Sequence, residues 1–172
     1  LFVAPATIQL AGAEVELVGI VSRETILKKS IASVRDEYDF IIIDCPPTLN
    51  MLTVNALVAA DSILIPMQCE YFALEGLSLI IQTIGLVQKS INPSLRINGI
   101  LLTMFDARTR LSQEVVRQVT EYFKDKVFKT IIPRNVRLSE APSHGLPAIM
   151  YDPTCIGAKS YEAVTKEIIN RG

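Results

Sequence analysis

The residues best placed to do chemistry stand where apolar runs end. Asp39-Phe40-Ile41-Ile42-Ile43-Asp44 closes on a carboxylate and leads into Cys45-Pro46-Pro47. Four apolar residues and a terminal Asp form a Walker B pattern: a carboxylate at a buried strand tip can hold Mg²⁺, often through water, beside a nucleotide phosphate. An Asp there could also cap a following helix. The proline doublet favours the metal reading, because it fixes the chain direction and removes two donors just past the carboxylate. Two further runs lead into polar loops. Ile97–Thr103 is followed by Met104-Phe105-Asp106-Ala107-Arg108, and Val127–Ile132 by Pro133-Arg134-Asn135-Val136-Arg137. In open α/β sheets ligands bind beyond the carboxyl ends of strands, so these three loops are expected side by side.

Other chemistries lack their parts. A phosphate-cradling loop reads G-x-x-x-x-G-K-[ST]. The nearest approach, Gly157-Ala158-Lys159-Ser160, lacks both required glycines (Pro153 and Ala158 stand there) and follows no strand, so it reads as the start of a helix. His144 is the one histidine; Ser143 precedes it, but neither an orienting carboxylate nor a strained nucleophile turn is apparent. Cys45, Cys69 and Cys155 lie far apart with no C-x-x-C pair, which excludes a readable zinc cluster or disulfide framework and fits a reducing compartment.

The elements that must carry these loops alternate. Asp39–Asp44 is an apolar run expected to be a strand buried on both faces, as in parallel sheets. Ser62–Pro66, Ile97–Met104 and Val127–Ile132 are expected as further strands, with Leu1–Ala4 a possible fifth. Helices are expected over Glu24–Val34, Ala73–Ile91, Ser112–Phe123 and Tyr161–Ile169. In Ala73–Ile91, Leu74, Leu77, Ile81, Ile84 and Ile91 recur at three- and four-residue steps. Strands alternating with helices imply parallel β-α-β units.

The 172 residues, 49% hydrophobic and 20% charged, exclude disorder and suffice for one buried core. No apolar run approaches the roughly 20 residues that span a bilayer. The net charge of −1 excludes a uniformly basic coat, but the charge is uneven: Leu1–Leu95 holds 5 basic and 10 acidic residues, Arg96–Arg137 holds 9 and 4. The middle third could present a positive face, or merely solvated helix charges. The opening Leu1-Phe2-Val3, without Met, reads as an internal start, and the chain is expected to be a fragment.

Five blocks, in order, resemble the ParA/Soj partition ATPases of the MinD/ParA superfamily. They are Pro5–Glu14; Asp39–Pro47; Glu70-Tyr71-Phe72-Ala73-Leu74-Glu75-Gly76-Leu77; Leu102-Thr103-Met104-Phe105-Asp106-Ala107-Arg108-Thr109; and Ile132-Pro133-Arg134-Asn135-Val136-Arg137-Leu138-Ser139-Glu140-Ala141-Pro142. The resemblance covers essentially the whole chain. It implies an α/β fold with a mostly parallel, doubly wound sheet of P-loop NTPase type, residues 1–172 forming a single domain equivalent to the C-terminal two-thirds of such an ATPase. The phosphate-loop strand, its lysine and the first switch have no counterpart here, so the isolated chain is expected not to hydrolyse ATP.

The resemblance also implies ATP and Mg as cofactors. Asp44 takes the place of the catalytic Walker B carboxylate, holding Mg through water, and Cys45, Pro46 and Pro47 that of the second switch, which senses the γ-phosphate. Met104, Pro133 and Asn135 correspond to adenine contacts; an amide donates and accepts at adjacent atoms and suits a purine edge. Taken alone, Asn135 also reads as a cap and Met104 as core packing. Arg108 and Arg137 match DNA-contacting arginines, whose guanidinium forks suit phosphate, with Arg110, Arg134, Lys124, Lys126 and Lys129 in the same basic third. Glu70–Gly76 resembles a segment near a dimer interface. The implied partners are non-specific DNA, a centromere-binding ParB/Spo0J-type protein and a second copy joined on ATP binding, in a nucleoid-associated cytoplasmic setting. Two other readings stand beside it. One is a membrane-associated cell-division ATPase of the MinD type, disfavoured by the short, mixed-charge tail Tyr161–Gly172, which is expected to pack on the sheet. The other is a non-catalytic binding module. Loss of an interior strand is expected to leave unpaired backbone and exposed apolar faces.

Overall fold

The computed structural model describes every residue except Pro47, Phe72 and Gly172. The elements that position the site are, in chain order, α1 (Ile26–Ile31), α2 (Met51–Ala59), β1 (Ser62–Gln68), α3 (Ala73–Ser90), β2 (Arg96–Thr103), α4 (Arg110–Phe123), α5 (Val136–Glu140) and α6 (Ile156–Arg171), with helical turns between them. They fall into two compact units, Leu1–Asp61 with Ile80–Leu95, and Ser62–Leu79 with Arg96–Gly172.

In the second unit the branched apolar runs of β1 and β2 pair in parallel, Ser62 opposite Arg96 and Gln68 opposite Thr103, with a register shift between Ile63 and Leu64. Parallel bridges Ile100–Val127 and Phe105–Pro133 carry residues 127–133 along the other side of β2. This segment was expected as a continuous strand, but it pairs only near its ends. Phe128 N–H donates to Ile100 O and Ile132 N–H to Leu102 O, both at 2.9 Å. Between them the N–H groups of Lys129 and Thr130 turn to the Glu167 carboxylate, at 2.8 and 3.1 Å. A charge-assisted side-chain acceptor thus replaces the ladder at mid-strand.

The core of this unit is Leu101, Phe128, Ile132 and Val164, with Leu64, Leu138 and Ile168 packed against it. Val164 and Ile168 lie on α6, so the tail packs on the sheet as its sequence suggests. The helix starts earlier than expected, at Ile156, and Gly157-Ala158-Lys159-Ser160 forms its first turns. Arg171 fastens its far end: the guanidinium lies 4.1 Å over the Phe128 ring and donates to Asn98 O (3.1 Å) and Val127 O (2.9 Å). Gly99 admits this approach, because a Cβ there would stand 2.6 Å from the Phe128 ring and 2.8 Å from Lys126 O.

In the first unit α2 was not expected, and its caps are side chains. Asn50 Oδ1 accepts from Thr53 N–H at 3.1 Å, satisfying one of the orphan donors of the first turn. At the other end the Asn92 amide, 3% exposed, donates to the carbonyls of Leu57, Val58 and Ala60 at 3.0, 3.3 and 2.9 Å. Asn55 ties α2 to the preceding segment, accepting from Leu27 N–H at 3.1 Å and donating to Arg23 O at 3.0 Å. The helix expected over Glu24–Val34 is shorter, a 3-10 turn at Arg23–Thr25 followed by α1.

Asp39–Asp44 corrects the sequence reading. The segment forms no strand. Ile42 is 91% exposed, and Phe40 is also exposed. β-propensity needs a ladder to act on, since each strand residue owes its stability to cross-strand hydrogen bonds and same-face packing. Among the described residues no strand pairs with this run. Leu1–Ala4 is likewise unpaired, with Phe2 resting edge-on against Tyr38 at 5.7 Å between ring centroids.

Candidate functional site

Hydrogen bonds tie the loops that leave the carboxyl ends of the strands in the second unit. After β1, Cys69 N–H donates to Thr103 O at 3.0 Å. Ser112 on α4 donates to Cys69 O at 3.1 Å. After β2, Phe105 N–H donates to Ile132 O at 3.1 Å, and Arg134 N–H returns a bond to Phe105 O at 2.9 Å. The Arg134 guanidinium pairs with Glu70 at 3.0 Å. So Phe105 lies opposite Pro133, and the loops bearing Met104, Pro133 and Asn135 are neighbours, as expected. Asp44 belongs to the first unit.

Met104 turns the chain out of β2 in the left-handed region, with φ 55°. That conformation costs an unbranched L-residue about 1 kcal/mol or more and persists where its surroundings over-determine it, often at functional sites. Here the Thr103 and Phe105 backbone bonds hold both neighbours. Asn135 is half-buried and caps α5, its Oδ1 accepting from Arg137 N–H at 2.9 Å. The cap reading of this residue is therefore realised. It engages the amide oxygen, while the Nδ2 group has no hydrogen-bond partner among the described residues and can donate to a ligand.

Beside these loops lies an open cleft of about 660 Å³, lined mainly by Phe105, Arg108, Ile131, Pro133, Val136 and Ile156. Pro133 is in its wall; Met104 and Asn135 are chain neighbours of its lining. The lining is mostly apolar, and Asp106, Arg134 and Ser160 add polar groups to it. Sequence reasoning missed the lining residues Phe105, Val136 and Ile156. Val136 and Ile156 are marked only by exposure, at 71% and 60%, and exposure is invisible in sequence.

Both candidate phosphate-contacting arginines are already paired. The Arg108 side chain is 87% exposed, yet its Nε and Nη2 reach the two Asp106 carboxylate oxygens at 2.9 and 2.7 Å, and its backbone N–H donates at 3.0 Å. The Arg108 side-chain hydrogen bonds, then its backbone N–H, hold the Asp106 carboxyl well below the usual carboxylate range. Arg137 donates to Glu140 at 2.8 Å and lies 3.5 Å from Asp152. Hydrogen bonding to Glu140 raises the Arg137 guanidinium above its ordinary value. On α4, Arg117 is held by Glu114 at 2.6 Å and Glu121 at 2.9 Å. Arg108, Arg117 and Arg137 are thus each met by a local carboxylate.

Around Arg137 the side chains form a chain of contacts. Tyr151 donates to Glu140 at 3.3 Å, and His144 stacks on Tyr151 with centroids 4.8 Å apart.

In the first unit Asp44, Cys45 and Pro46 lie exposed on the unpaired segment, and Pro47 falls outside the described residues. Local desolvation, and then the Asp44 charge, push the Cys45 thiol up, so it stays protonated near neutral pH. Among the described residues no three His, Cys, Asp or Glu side chains cluster to hold a metal. One hard carboxylate fits Mg²⁺, which keeps several waters and takes its remaining oxygens from phosphates.

A family profile described as an AAA domain matches residues 1–97. The chromosome-partitioning ATPase Soj of Treponema pallidum is 61% identical over 171 residues, covering 99% of this chain and 68% of that protein. The sporulation initiation inhibitor protein Soj of Bacillus subtilis is 60% identical over 170 residues, covering 99% of this chain and 67% of that one. Among solved structures, cobyrinic acid a,c-diamide synthase from Mycobacterium smegmatis superposes with a TM-score of 0.80 at 34% identity, over 96% of this chain and 60% of the enzyme. The same enzyme has been solved with bound ADP and magnesium; that form superposes at 0.70 with 36% identity, over 83% of this chain and 64% of the enzyme. The chain spans about two thirds of the length of the two Soj relatives.

Proposed function

This chain belongs to the ParA/Soj family of P-loop ATPases, and on that premise we propose that it is the Walker B and base-binding part of an ATP-dependent DNA-partition protein. One observation carries the reading: identity of 61% to a chromosome-partitioning ATPase runs through 99% of the chain. Identity to the solved amide-forming enzyme is 34%, which favours partition over its chemistry.

In this reading ATP binds with Mg²⁺, and the bound ion would offset the charge of the phosphates. Asp44 is the catalytic carboxylate and would hold the ion. Cys45, Pro46 and Pro47 form the switch that follows it, where two adjacent prolines restrict the backbone. Met104, Pro133 and Asn135 flank the base, with the free Asn135 amide N–H₂ offered to a ring acceptor. Support comes from the apolar cleft that Pro133 lines and from the backbone bonds that fix both loops. Arg108 and Arg137 contact DNA phosphates; without base-edge readers such contacts give sequence-independent, salt-sensitive binding. The protein dimerises on ATP binding, answers to a centromere-binding ParB/Spo0J-type protein, and works on the nucleoid. No described helix is long and apolar enough to cross a membrane. α6 commits Val164 and Ile168 to the core, which speaks against a MinD-type surface anchor.

The test is the double substitution Arg108→Ala, Arg137→Ala in the full-length gene product, with retention on mixed-sequence duplex DNA measured in ATP across a salt series. Loss of retention is expected, with the log–log salt slope falling by about 0.9 per phosphate contact removed. Unchanged retention sinks the assignment of these arginines.

A further inference from the structure

The arginines assigned to DNA do not stand free, and the geometry of their partners is specific. Arg108 meets Asp106 through a two-point fork at 2.9 and 2.7 Å, the arrangement a guanidinium would otherwise offer a phosphate. Arg137 is bracketed by Glu140 at 2.8 Å and Asp152 at 3.5 Å. Arg134, between them in the chain, pairs with Glu70 at 3.0 Å. Three guanidinium groups therefore face four carboxylates within the second unit. Three of the four acids have a second anchor. Asp106 accepts the Arg108 backbone N–H at 3.0 Å, Glu140 accepts the Tyr151 hydroxyl at 3.3 Å, and Asp152 accepts the N–H groups of Thr154 and Cys155, both at 3.1 Å. When an arginine leaves, its carboxylate stays where it is.

We propose that Asp106 and Glu140, seconded by Asp152, are built-in competitors that occupy the phosphate-binding faces of Arg108 and Arg137 and set how tightly DNA is held. The inference rests on the DNA reading above and concerns the regulation of that same surface. A phosphate must exchange for a carboxylate at each arginine, so one contact gains little net free energy. Retention then depends on engaging several arginines at once, as when two copies present their surfaces together. Rapid release follows when that multiplicity is lost, because each internal acid recaptures its arginine.

The experiment compares Asp106→Asn and Glu140→Gln with a charge control, Glu162→Gln, in the full-length gene product in ATP on mixed-sequence duplex DNA. Asn and Gln keep the carbonyl acceptors that anchor the loops and remove the charge that captures the arginine. Glu162 is exposed on α6 and makes no described bond to these arginines. Each of the two test variants is expected to tighten DNA binding about 1.4- to fivefold, with both together giving more. Glu162→Gln, which changes net charge equally, is expected to leave affinity unchanged. If Asp106→Asn and Glu140→Gln raise affinity no more than Glu162→Gln does, the competitor role is overturned while the arginine assignment survives. If the double arginine variant binds DNA normally, the DNA reading fails first. Circular dichroism and melting of each variant show that the fold is retained.

Discussion

Asn135 joins two duties in one amide. Its oxygen caps α5 through the Arg137 N–H, and its nitrogen, without a partner among the described residues, is the group proposed to meet a base. An alanine there removes both, so a loss of nucleotide affinity in Asn135→Ala would mix a cap defect of about 1 kcal/mol with a lost contact. Asn135→Ser separates them, because a serine hydroxyl still accepts at a helix N-terminus but cannot reach or donate as an amide does. The expected outcome is a melting temperature close to the parent and nucleotide binding weakened about tenfold, the loss of one well-made hydrogen bond in a partly dry site. Equal affinity of Asn135→Ser and parent, read by titration calorimetry, removes Asn135 from the base site. Residue types were legible in sequence: the Asp44 pattern, the amide and the two arginines stand out by identity and order. Their states were not. The left-handed backbone at Met104 and the approach of Asp152 to Arg137 arise from three-dimensional neighbours, whereas Asp106 and Glu140 stand two and three positions from the arginines they hold.

Elements were legible where local pattern and tertiary context agree. The apolar stripe of α3, the amphipathic α4 and the branched runs of β1 and β2 all form near their expected limits. Asp39–Asp44 has a strand's composition and forms none, because pairing supplies the stability and no partner ladder is present among the described residues. Residues 127–133 fail as a continuous strand for a different reason, since Glu167 takes two of its donors. α2 went unseen because its caps, Asn50 and Asn92, lie 42 positions apart in the numbering, and only the first is local. The sheet also carries a demand that sequence does not announce. Gly99 sits under Phe128, Arg171 and Lys126 O, with no room for a methyl group. Gly99→Ala must push the ring or the 126–128 backbone away and loosen the Arg171 clasp with them. A cost of about 1–3 kcal/mol is expected, the usual range for overpacking. It would be read as a lower denaturation midpoint with an unchanged slope. A midpoint equal to the parent's would show that the close approach is relieved without strain.

At the scale of the whole chain, contacts divide the structure into two compact units. The first unit leaves Phe2, Val3, Phe40 and Ile42 exposed, all four on segments that form no strand. Apolar side chains alternating along free backbone are a template for another chain. A net charge of −1 supplies little long-range repulsion against it. The 172-residue chain is therefore expected to self-associate without nucleotide, with a sedimentation coefficient that rises with concentration. Ile42 is the position that tests this most cleanly. At 91% exposure it packs on almost nothing, so Ile42→Lys should change folding stability by no more than about 0.5 kcal/mol. It also places a charge in the middle of the unpaired run, where a docking strand would have to bury it, and the distribution should move toward monomer at fixed concentration. A parent chain that stays monomeric as concentration rises would refute the argument. So would an Ile42→Lys variant that associates as the parent does, because the sticky surface would then lie elsewhere.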